Sequence, residues 1–374
     1  MSNQSTERYL IVGGGGYLGA KLISQLQKNG HRGIIVVLDP NPQKFKTIKL
    51  RRVKYIKGSF QDDHTLERAL RKVKAVFHLA AVGHTGLTAA DRESVFEFNV
   101  KGTRDLVEKC KKSEVKRFHY ASSVAVAFVG KELSNAKETD PQPRPEEFLD
   151  YYSASKAEAE KFVLEQSNEN FKTSSLRFRN IYGPEDPNVT RKVADLIGRG
   201  LFIAMISKYG REAVSNGSSA TNCAKGFVLA EKELKKSGGH HGQFYYITDK
   251  EIIGQYSFWK SLVVSKGRRM PALFIPYKLM AWINPVIEMV CYRWLKVAPL
   301  MTDFELAIVS TDNTYSCDKA RDHLGYYAEP NEMEKVAAYY NQMKPRQDGT
   351  WTTVIGFSVA VLFVSIILAY FYFF

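Results

Sequence analysis

Four consecutive glycines, Gly13 to Gly16, occur almost at the start of the chain. An apolar run at residues 10–12 precedes them. After them, apolar residues recur at the spacing of an α-helix, at Leu18, Leu22, Ile23 and Leu26. A flexible glycine linker is not flanked in this way. The stretch therefore predicts a strand, a tight glycine turn and a helix.

Strand-like and helix-like segments continue to alternate as far as residue 185. Apolar runs typical of strands cover 33–39, 74–82, 115–126 and 172–183. Amphipathic stretches typical of helices cover 64–73, 97–113 and 153–166. This alternation predicts an α/β fold with a Rossmann-type, doubly wound parallel sheet. Continuous apolar strands fit a sheet that is covered on both faces.

The alternation weakens beyond residue 185. We therefore expect a Rossmann domain at 1–185 and a smaller substrate-binding region at 186–345. The run 244–248 is strand-like and is expected to return to the Rossmann sheet.

The stretch 270–301 combines apolar residues with aromatic and basic ones. Pro276 and Pro285 are expected to break it into short helices. Two interpretations stay open. The stretch is either the core of the substrate-binding region or a monotopic patch that lies on a membrane surface.

Residues 351–374 form a second apolar stretch, which contains no charged residue. It is long enough for a transmembrane helix, which needs roughly 20 apolar residues. A soluble helix of this length seldom lacks a polar face. The stretch predicts a single-pass C-terminal tail anchor, with Lys344, Arg346 and the domains before them on the cytosolic side.

The formal net charge of +14 favours an anionic partner. Seven basic residues between Lys44 and Lys57 carry part of this charge, and they fit a solvated surface, a cofactor phosphate or anionic lipid. No nucleic-acid-binding module accompanies the charge, so we expect no nucleic-acid partner. Four scattered cysteines, without a CxxC pair or a histidine cluster, predict neither a metal site nor a disulfide framework.

Glycines recur every third residue at Gly13, Gly16 and Gly19, where the first strand is expected to turn into the first helix. Glycine at these positions permits a left-handed turn, a close approach of a pyrophosphate to the backbone and tight packing of helix on strand. The N-terminus of the helix then offers N–H groups to the phosphates. The spacing predicts a dinucleotide site.

Asp39 ends the second predicted strand, about twenty residues after the glycines. A carboxylate there accepts hydrogen bonds from the ribose hydroxyls of NAD and repels the 2′-phosphate of NADP. The alternative is an aspartate that merely forms a turn before Pro40. The context favours NAD as the cofactor.

Tyr152 and Lys156 are four residues apart on a predicted helix, so their side chains share one face. A tyrosine is a poor base, with a pKa of about 10, but a nearby ammonium is expected to lower that pKa. Ser123, at the end of a preceding strand, is positioned to hydrogen-bond a substrate oxygen. The three residues predict proton transfer to or from a substrate oxygen.

These segments together resemble the 3β-hydroxysteroid dehydrogenase/isomerase family of extended short-chain dehydrogenases/reductases, which includes sterol 4α-carboxylate 3-dehydrogenases. The matching segments are VGGGGYLG, VVLD, VFHLAA, FNVKGTRDLVEKC, YASSV, YYSASKAEAE and LRFRNIYGP. They occur in the family order and cover residues 8 to 185.

The resemblance implies a role for each matching position. Tyr152 becomes the general acid/base, Lys156 its activator, Ser123 the ligand of the substrate oxygen and Asn99 a structural asparagine. The implied NAD-binding residues are Gly13, Gly16, Tyr17, Leu18, Gly19, Asp39, Ala80, Ala81, Lys156 and Ile181.

The implied activity is NAD-dependent oxidation of a sterol or steroid 3β-hydroxyl to the 3-ketone in steroid biosynthesis. Isomerisation from Δ5 to Δ4 follows in some members, and it needs a further acid/base that the sequence does not identify. One alternative is oxidative decarboxylation of a 4α-carboxysterol. An alternative of another class is a membrane-anchored binding protein that keeps the fold without turnover.

The expected partners are a sterol or steroid and membrane lipid, and a homodimer is compatible with the resemblance. A sterol partitions into bilayers, which gives the C-terminal anchor a purpose. The expected location is the endoplasmic reticulum membrane, with the catalytic domain in the cytosol.

Overall fold

A computed structural model describes residues 6–41, 52–84 and 86–345 of the protein. Its strands are β1 (Arg8–Val12), β2 (Ile35–Asp39), β3 (Val53–Lys57), β4 (Val73–His78), β5 (Arg117–Ser123), β6 (Leu133–Ala136), β7 (Lys172–Phe178), β8 (Ile181–Tyr182), β9 (Ala204–Ser207), β10 (Val214–Ser215), β11 (Ser218–Ser219), β12 (Gln243–Ile247), β13 (Ile253–Gly254), β14 (Leu273–Pro276) and β15 (Asn313–Tyr315). Its α-helices are α1 (Tyr17–Lys28), α2 (Asp63–Leu70), α3 (Arg92–Phe96), α4 (Gly102–Lys112), α5 (Tyr151–Glu165), α6 (Val189–Gly198), α7 (Ala220–Leu234), α8 (Lys260–Ser265), α9 (Tyr277–Met289), α10 (Asp303–Ser310), α11 (Asp318–Leu324) and α12 (Met333–Tyr340).

A seven-stranded sheet in the order β12-β7-β5-β4-β1-β2-β3 forms the centre of the molecule. All neighbouring strands in it are parallel. The predicted Rossmann-type sheet is therefore confirmed. β12 lies beside β7, so the strand-like run near 244–248 extends this sheet. In an open parallel sheet, ligands bind at the carboxyl ends of the strands, where the order reverses between β1 and β4.

Helices cover both faces of the sheet, which explains why its strands are continuous apolar runs. On one face Tyr9, Ile11 and Phe77 pack with residues of α1, α7 and α11. On the other face Leu10 and Val12 pack with residues of α2, α4 and α5. Successive strand residues point to opposite faces, so each strand contributes to both cores.

Helix α7 lies beyond residue 185 and yet packs on the Rossmann sheet beside α1. Buried Arg117 on β5 donates from Nε to Oε1 of Glu231 on α7 over 3.0 Å, and His119 contacts the same carboxylate at 2.9 Å. Burial alone would raise the pKa of Glu231, but the hydrogen bond from His119 and the charge of Arg117 lower it to about 2. The predicted domain boundary at residue 185 therefore leaves α7, one of the helices that cover the Rossmann sheet, outside the Rossmann domain.

The stretch 270–301 contains the short strand β14, which pairs with β9, followed by α9. Pro276 precedes the first residue of α9, as expected for a helix start. The prediction that Pro285 breaks the helix is wrong, since Pro285 lies inside α9. Ile283 and Ile287 flank it in sequence and pack in one apolar cluster, and this packing holds the helix across the proline.

The predicted membrane anchor at 351–374 lies outside the described residues. Among the helices within 6–41, 52–84 and 86–345, none has the length and apolar character needed to cross a bilayer. Residues 44–51 of the basic run also lie outside the described part.

Candidate active site

The glycine turn after β1 lies against the loop that follows β4. Gly13 has a φ of +77°, and a Cβ added there would lie 2.7 Å from the backbone nitrogen of Ala80. A Cβ added to Gly19 would lie 2.3 Å from the carbonyl oxygen of Gly14. A side chain at either position would fill the space at this glycine turn, which we call the cradle. The structure therefore requires glycine at positions where the sequence pattern predicts phosphate binding.

The N-terminus of α1 opens into this cradle. Gly16 caps the helix without a side-chain hydrogen bond, and no acidic residue occupies the first turn. Tyr17, the first helical residue, is buried, and its hydroxyl lies 2.3 Å from the position of a Cβ on Gly183. The N–H groups of a first helical turn and the positive end of the helix dipole suit a pyrophosphate.

Leu18 and Ile181, two of the residues predicted to contact the cofactor, pack against the apolar core below the cradle. Ile181 lies in β8, which continues from β7 and pairs with β11. Ala80 and Ala81 follow β4 at the carboxyl edge of the sheet. The structure therefore places Ala80 against the glycine turn, with Ala81 next to it in the chain, whereas the side chains of Leu18 and Ile181 pack against the core.

Asp39 ends β2 beside the glycine turn. The backbone N–H of Gly15 donates to its Oδ2 over 3.1 Å, and the N–H of Asn41 donates to its Oδ1 over 2.7 Å. These two bonds fix the carboxylate at the edge of the cradle. Together, the glycine cradle, the helix N-terminus and Asp39 fit an NAD molecule bound with its pyrophosphate on α1 and a ribose at Asp39.

Asn99 lies in a π-helical turn, Glu97–Lys101, between α3 and α4. Its Nδ2 donates to the carbonyl oxygen of Val82 over 2.8 Å and to Oγ of Ser155 over 3.0 Å. The N–H of Val82 donates back to its Oδ1 over 2.9 Å. Buried Asn99 thus connects the loop after β4 to α5, which is the structural role that the resemblance implies.

The side chains of Ser123 and Tyr152 are close enough for the Ser123 hydroxyl to influence the pKa of Tyr152. Ser123 ends β5, and Tyr152 lies in the first turn of α5, whose N-cap Asp150 accepts from the N–H of Ser153 over 2.7 Å. Burial raises the pKa of Tyr152, and the Asp150 carboxylate raises it further, whereas the nearby Ser123 side chain lowers it. The phenol is therefore the stable form of Tyr152 in this structure.

Lys156 lies one turn after Tyr152 and is only 2% exposed. Its Nζ donates to the carbonyl oxygen of Ala121 over 2.6 Å and lies 3.9 Å from the centroid of the Tyr120 ring. Burial lowers the pKa of Lys156 to about 7, although Glu160 opposes this shift. The expected lowering of the Tyr152 pKa by Lys156 is not what the structure shows, because burial dominates at both residues.

A cleft of about 1370 Å³ lies along α5. His84 lines it, and the centroid of its ring lies 5.0 Å from that of Tyr152. Tyr151, which lacks the four-residue spacing to Lys156, also lines the cleft and is exposed. The apolar and aromatic part of the wall includes Phe96, Val126, Phe148, Leu149, Tyr292 and Phe304.

The sequence identifies some residues of the cleft but not others. Asp150 precedes a predicted helix, so its N-cap role is readable from the sequence. His84, Glu288 and Tyr292 carry no such signal, because only the tertiary fold brings them to α5. Within the described residues there is no group of three or more potential metal ligands, and Cys110, Cys223, Cys291 and Cys317 are unpaired.

Comparison with known proteins agrees with this geometry. The family model of the 3-beta hydroxysteroid dehydrogenase/isomerase family matches residues 10–274. A 3beta-hydroxysteroid dehydrogenase/Delta(5)-Delta(4) isomerase 1 from Caenorhabditis elegans is 35% identical over 83% of this chain, which spans 66% of that relative. A 3 beta-hydroxysteroid dehydrogenase/Delta 5-->4-isomerase from Mycobacterium tuberculosis is 29% identical, over 93% of this chain and 95% of that one.

The fold also matches a solved structure, UDP-glucuronic acid 4-epimerase from Bacillus cereus in complex with NAD. Its TM-score is 0.68 at 18% identity, over 89% of this chain and 97% of that chain. The family match, together with the cradle and the fold, confirms the prediction that the cofactor is NAD. The chain is an oxidoreductase that belongs to the 3-beta hydroxysteroid dehydrogenase/isomerase family.

Proposed function

We propose that the protein oxidises the 3β-hydroxyl of a sterol or steroid to the 3-ketone. The observation that carries this proposal is the grouping of Tyr152 with Ser123, whose side chain lowers the Tyr152 pKa, with buried Lys156 one turn away, and with the ring of His84, which lines the cleft and lies 5.0 Å from the Tyr152 ring. The aromatic and aliphatic wall of the cleft suits a rigid apolar substrate with a single polar end.

The chain's own residues account for binding and proton transfer. The Ser123 hydroxyl holds the substrate oxygen, and the Tyr152 oxygen takes the 3-hydroxyl proton as the carbonyl forms at C3. Lys156 and Asn99 hold α5, and with it Tyr152, in position. NAD, when bound, supplies the acceptor for the hydride that leaves C3.

A substrate panel tests the proposal. Purified full-length protein is incubated with NAD and each of three sterol classes: a 3β-hydroxy-Δ5-steroid, its 3α-epimer and a 4α-carboxysterol. We expect ketone only from the 3β-alcohols, detected by mass analysis. Release of CO₂ from the carboxysterol assigns the decarboxylating alternative. Binding of sterol without any product assigns the non-catalytic alternative.

Asp39 predicts the cofactor preference. We expect kcat/KM for NAD to exceed that for NADP, because the Asp39 carboxylate repels a 2′-phosphate at the ribose. Asp39→Asn should reduce this preference by about tenfold, equal to roughly 1.4 kcal/mol. Steady-state kinetics with both cofactors measure it, and Asp63→Asn, on exposed α2, is the control. A higher kcat/KM for NADP in the unchanged protein would refute the role of Asp39.

We propose that Glu288 moves the proton in Δ5-to-Δ4 isomerisation. Glu288 lines the same cleft as His84 and Asp150, and Tyr292 interacts with both the Glu288 and Asp150 carboxyls. Burial, together with the neighbouring Asp303 carboxylate, raises the pKa of Glu288 to about 7, which suits a proton carrier. A carboxylate at this site takes the C4 proton of the 3-keto-Δ5 product and returns it to C6.

Glu288→Gln separates the two activities. We expect oxidation at C3 to persist and the 3-keto-Δ5 intermediate to accumulate, with isomerisation slowed by at least about 100-fold. Absorbance of the conjugated ketone measures the second step. Unchanged isomerisation in this variant would exclude Glu288, and equal loss of both steps would indicate a structural role instead.

We also propose that segment 351–374 anchors the protein in the endoplasmic reticulum membrane, with the catalytic domain in the cytosol. The segment is uncharged and long enough to span. Deleting it should release the protein from membranes after a high-salt wash in cell fractionation. Full retention of the truncated protein in the washed membranes would contradict this anchor.

A further inference from the structure

His84 is an exposed residue of the loop after β4, and its ring lies against that of Tyr152. The two ring centroids are 5.0 Å apart, and the ring planes are inclined by 42°. An exposed side chain is normally free to move away from its neighbours. The hydrogen bonds around this loop show why His84 stays beside the candidate proton carrier.

The backbone just before His84 is anchored. Buried Asn99 holds Val82 through two hydrogen bonds, one to its carbonyl oxygen (2.8 Å) and one from its N–H (2.9 Å). Gly83 follows with a φ of +89°, and a Cβ added to it would lie 2.5 Å from Cγ2 of Val95 on α3. A side chain at position 83 would displace the loop, so the glycine turn fixes the place from which His84 emerges.

The same asparagine fixes the helical turn that carries Tyr152. Nδ2 of Asn99 donates to Oγ of Ser155 over 3.0 Å, and that hydroxyl donates to the carbonyl oxygen of Tyr152 over 2.8 Å. One buried side chain therefore ties together the loop that bears His84 and the helix that bears Tyr152. This shared support keeps the two rings side by side, as a functional pair requires.

A phenol that accepts a proton must give up its own. Burial and the Asp150 carboxylate raise the pKa of Tyr152, so the phenol is its resting form. Tyr152 can take the proton of the substrate hydroxyl only if the phenolic proton leaves at the same time. Lys156 offers no path to water, because it is 2% exposed and its Nζ donates to the carbonyl oxygen of Ala121. His84, by contrast, contacts both the Tyr152 ring and solvent.

We propose that His84 conducts the phenolic proton of Tyr152 to solvent during oxidation, and we call this path the His84 relay. The substrate hydroxyl gives its proton to the Tyr152 oxygen, the phenol gives its own proton to the unprotonated nitrogen of the imidazole, and the imidazolium gives a proton to water. One hydride leaves C3 for NAD, so one proton reaches water for each ketone formed. The relay acts through Tyr152 and rests on the proposed dehydrogenase function.

Asp150 supports the direction of this transfer. Its carboxylate interacts electrostatically with both Tyr152 and His84. A negative charge at this place opposes a phenolate and stabilises an imidazolium, so it favours movement of the proton from the substrate side towards the histidine. The N–H of Ser153 donates to Oδ1 of Asp150 over 2.7 Å, and this bond holds the carboxylate in place.

First-turnover kinetics test the His84 relay. His84→Phe keeps a ring beside Tyr152 and removes the proton acceptor. A 3β-hydroxysterol is mixed rapidly with excess full-length protein and saturating NAD. We expect NADH formation to slow at least about tenfold in this variant, with the affinities for sterol and NADH unchanged. His64→Phe, which replaces an exposed histidine on α2, is the matched control and should keep the full rate.

Chemical rescue separates proton transfer from packing. His84→Ala leaves space beside Tyr152 for a small ring from solution. The first-turnover rate of this variant should rise with the concentration of added imidazole towards the rate of the unchanged protein. Pyrazole, which has the same size and is a much weaker base, should not restore the rate. Thermal unfolding shows that both variants at position 84 are folded.

The outcomes distinguish the relay from the function on which it rests. A first-turnover rate in His84→Phe within about twofold of the unchanged protein would overturn the relay. A loss in His84→Ala that imidazole does not restore, or that pyrazole restores equally, would also overturn it, because the ring would then act by packing alone. Absence of NADH from the unchanged protein with every 3β-hydroxysterol would refute the dehydrogenase function itself, and the relay with it.

Discussion

Tyr152→Phe should lower kcat for oxidation of the 3β-alcohol by at least about 1000-fold, in the range of a lost general acid/base. The hydroxyl of Tyr152, near Ser123, is the proposed proton carrier, whereas the ring contributes packing that phenylalanine keeps. NAD binding should be unchanged, because the cradle at Gly13 and Asp39 does not involve the phenol. Steady-state turnover and titration of NADH fluorescence measure the two quantities separately.

Tyr151→Phe is the matched control for this variant. Tyr151 is adjacent in sequence, exposed and on the wall of the cleft, so its loss should leave kcat within about threefold of the unchanged protein. Wild-type-like turnover in Tyr152→Phe would refute the assignment of the proton carrier. Loss of turnover in Tyr151→Phe alone would transfer that role to the neighbouring residue.

Lys156→Met should abolish turnover and also stabilise the fold. Burial lowers the pKa of Lys156 to about 7, whereas a lysine in an unfolded chain has a pKa of about 10.4. Between these two values the unfolded state binds more protons, so the lysine makes the protein less stable at neutral pH than at alkaline pH. Methionine has a similar shape and no charge, and it should raise the free energy of unfolding by about 2 kcal/mol near neutral pH.

The sign of the pH dependence makes this prediction specific. The stabilisation by Lys156→Met should be largest at about pH 7 or below and should vanish towards about pH 10, where the lysine is neutral in both states. Denaturant titrations at both pH values measure it, and exposed Lys161→Met on the same helix is the control. A gain in stability that is equal at both pH values would contradict the account of Lys156.

Much of the fold was predictable because the strands of a parallel sheet are continuous apolar runs. The sequence pattern did not identify strand β3, because β3 is an edge strand in which Lys54, Tyr55 and Lys57 are exposed and no residue is fully buried. The sequence pattern did not identify helix α7, because α7 is buried on several sides and its Glu231 faces Arg117 of the sheet. Its apolar residues therefore do not recur at the spacing of a helix with one buried face. The continuity of α9 through Pro285 depends on packing with Cys291 and its neighbours, which no local rule describes.

The candidate site likewise contains residues that the sequence identifies and residues that only the fold brings together. The glycine spacing, Asp39 and the four-residue interval from Tyr152 to Lys156 are local patterns, so the sequence identifies them. The surroundings are not local: the ring of His84 lies beside that of Tyr152 but comes from the segment after β4, and Glu288 lines the cleft from α9. Burial also reverses the expected direction of the Tyr152 pKa, and burial is a property of the whole fold.

The central claim is that Tyr152 and its neighbours oxidise a 3β-hydroxyl at C3 with NAD. The most direct measurement uses a 3β-hydroxysterol that carries deuterium on C3, with mass analysis of the sterol product. The account predicts a 3-ketone that has lost the deuterium, formed with one equivalent of reduced NAD, in the unchanged protein and not in Tyr152→Phe. Recovery of the sterol with its deuterium, under conditions in which the protein binds both NAD and sterol, would contradict it.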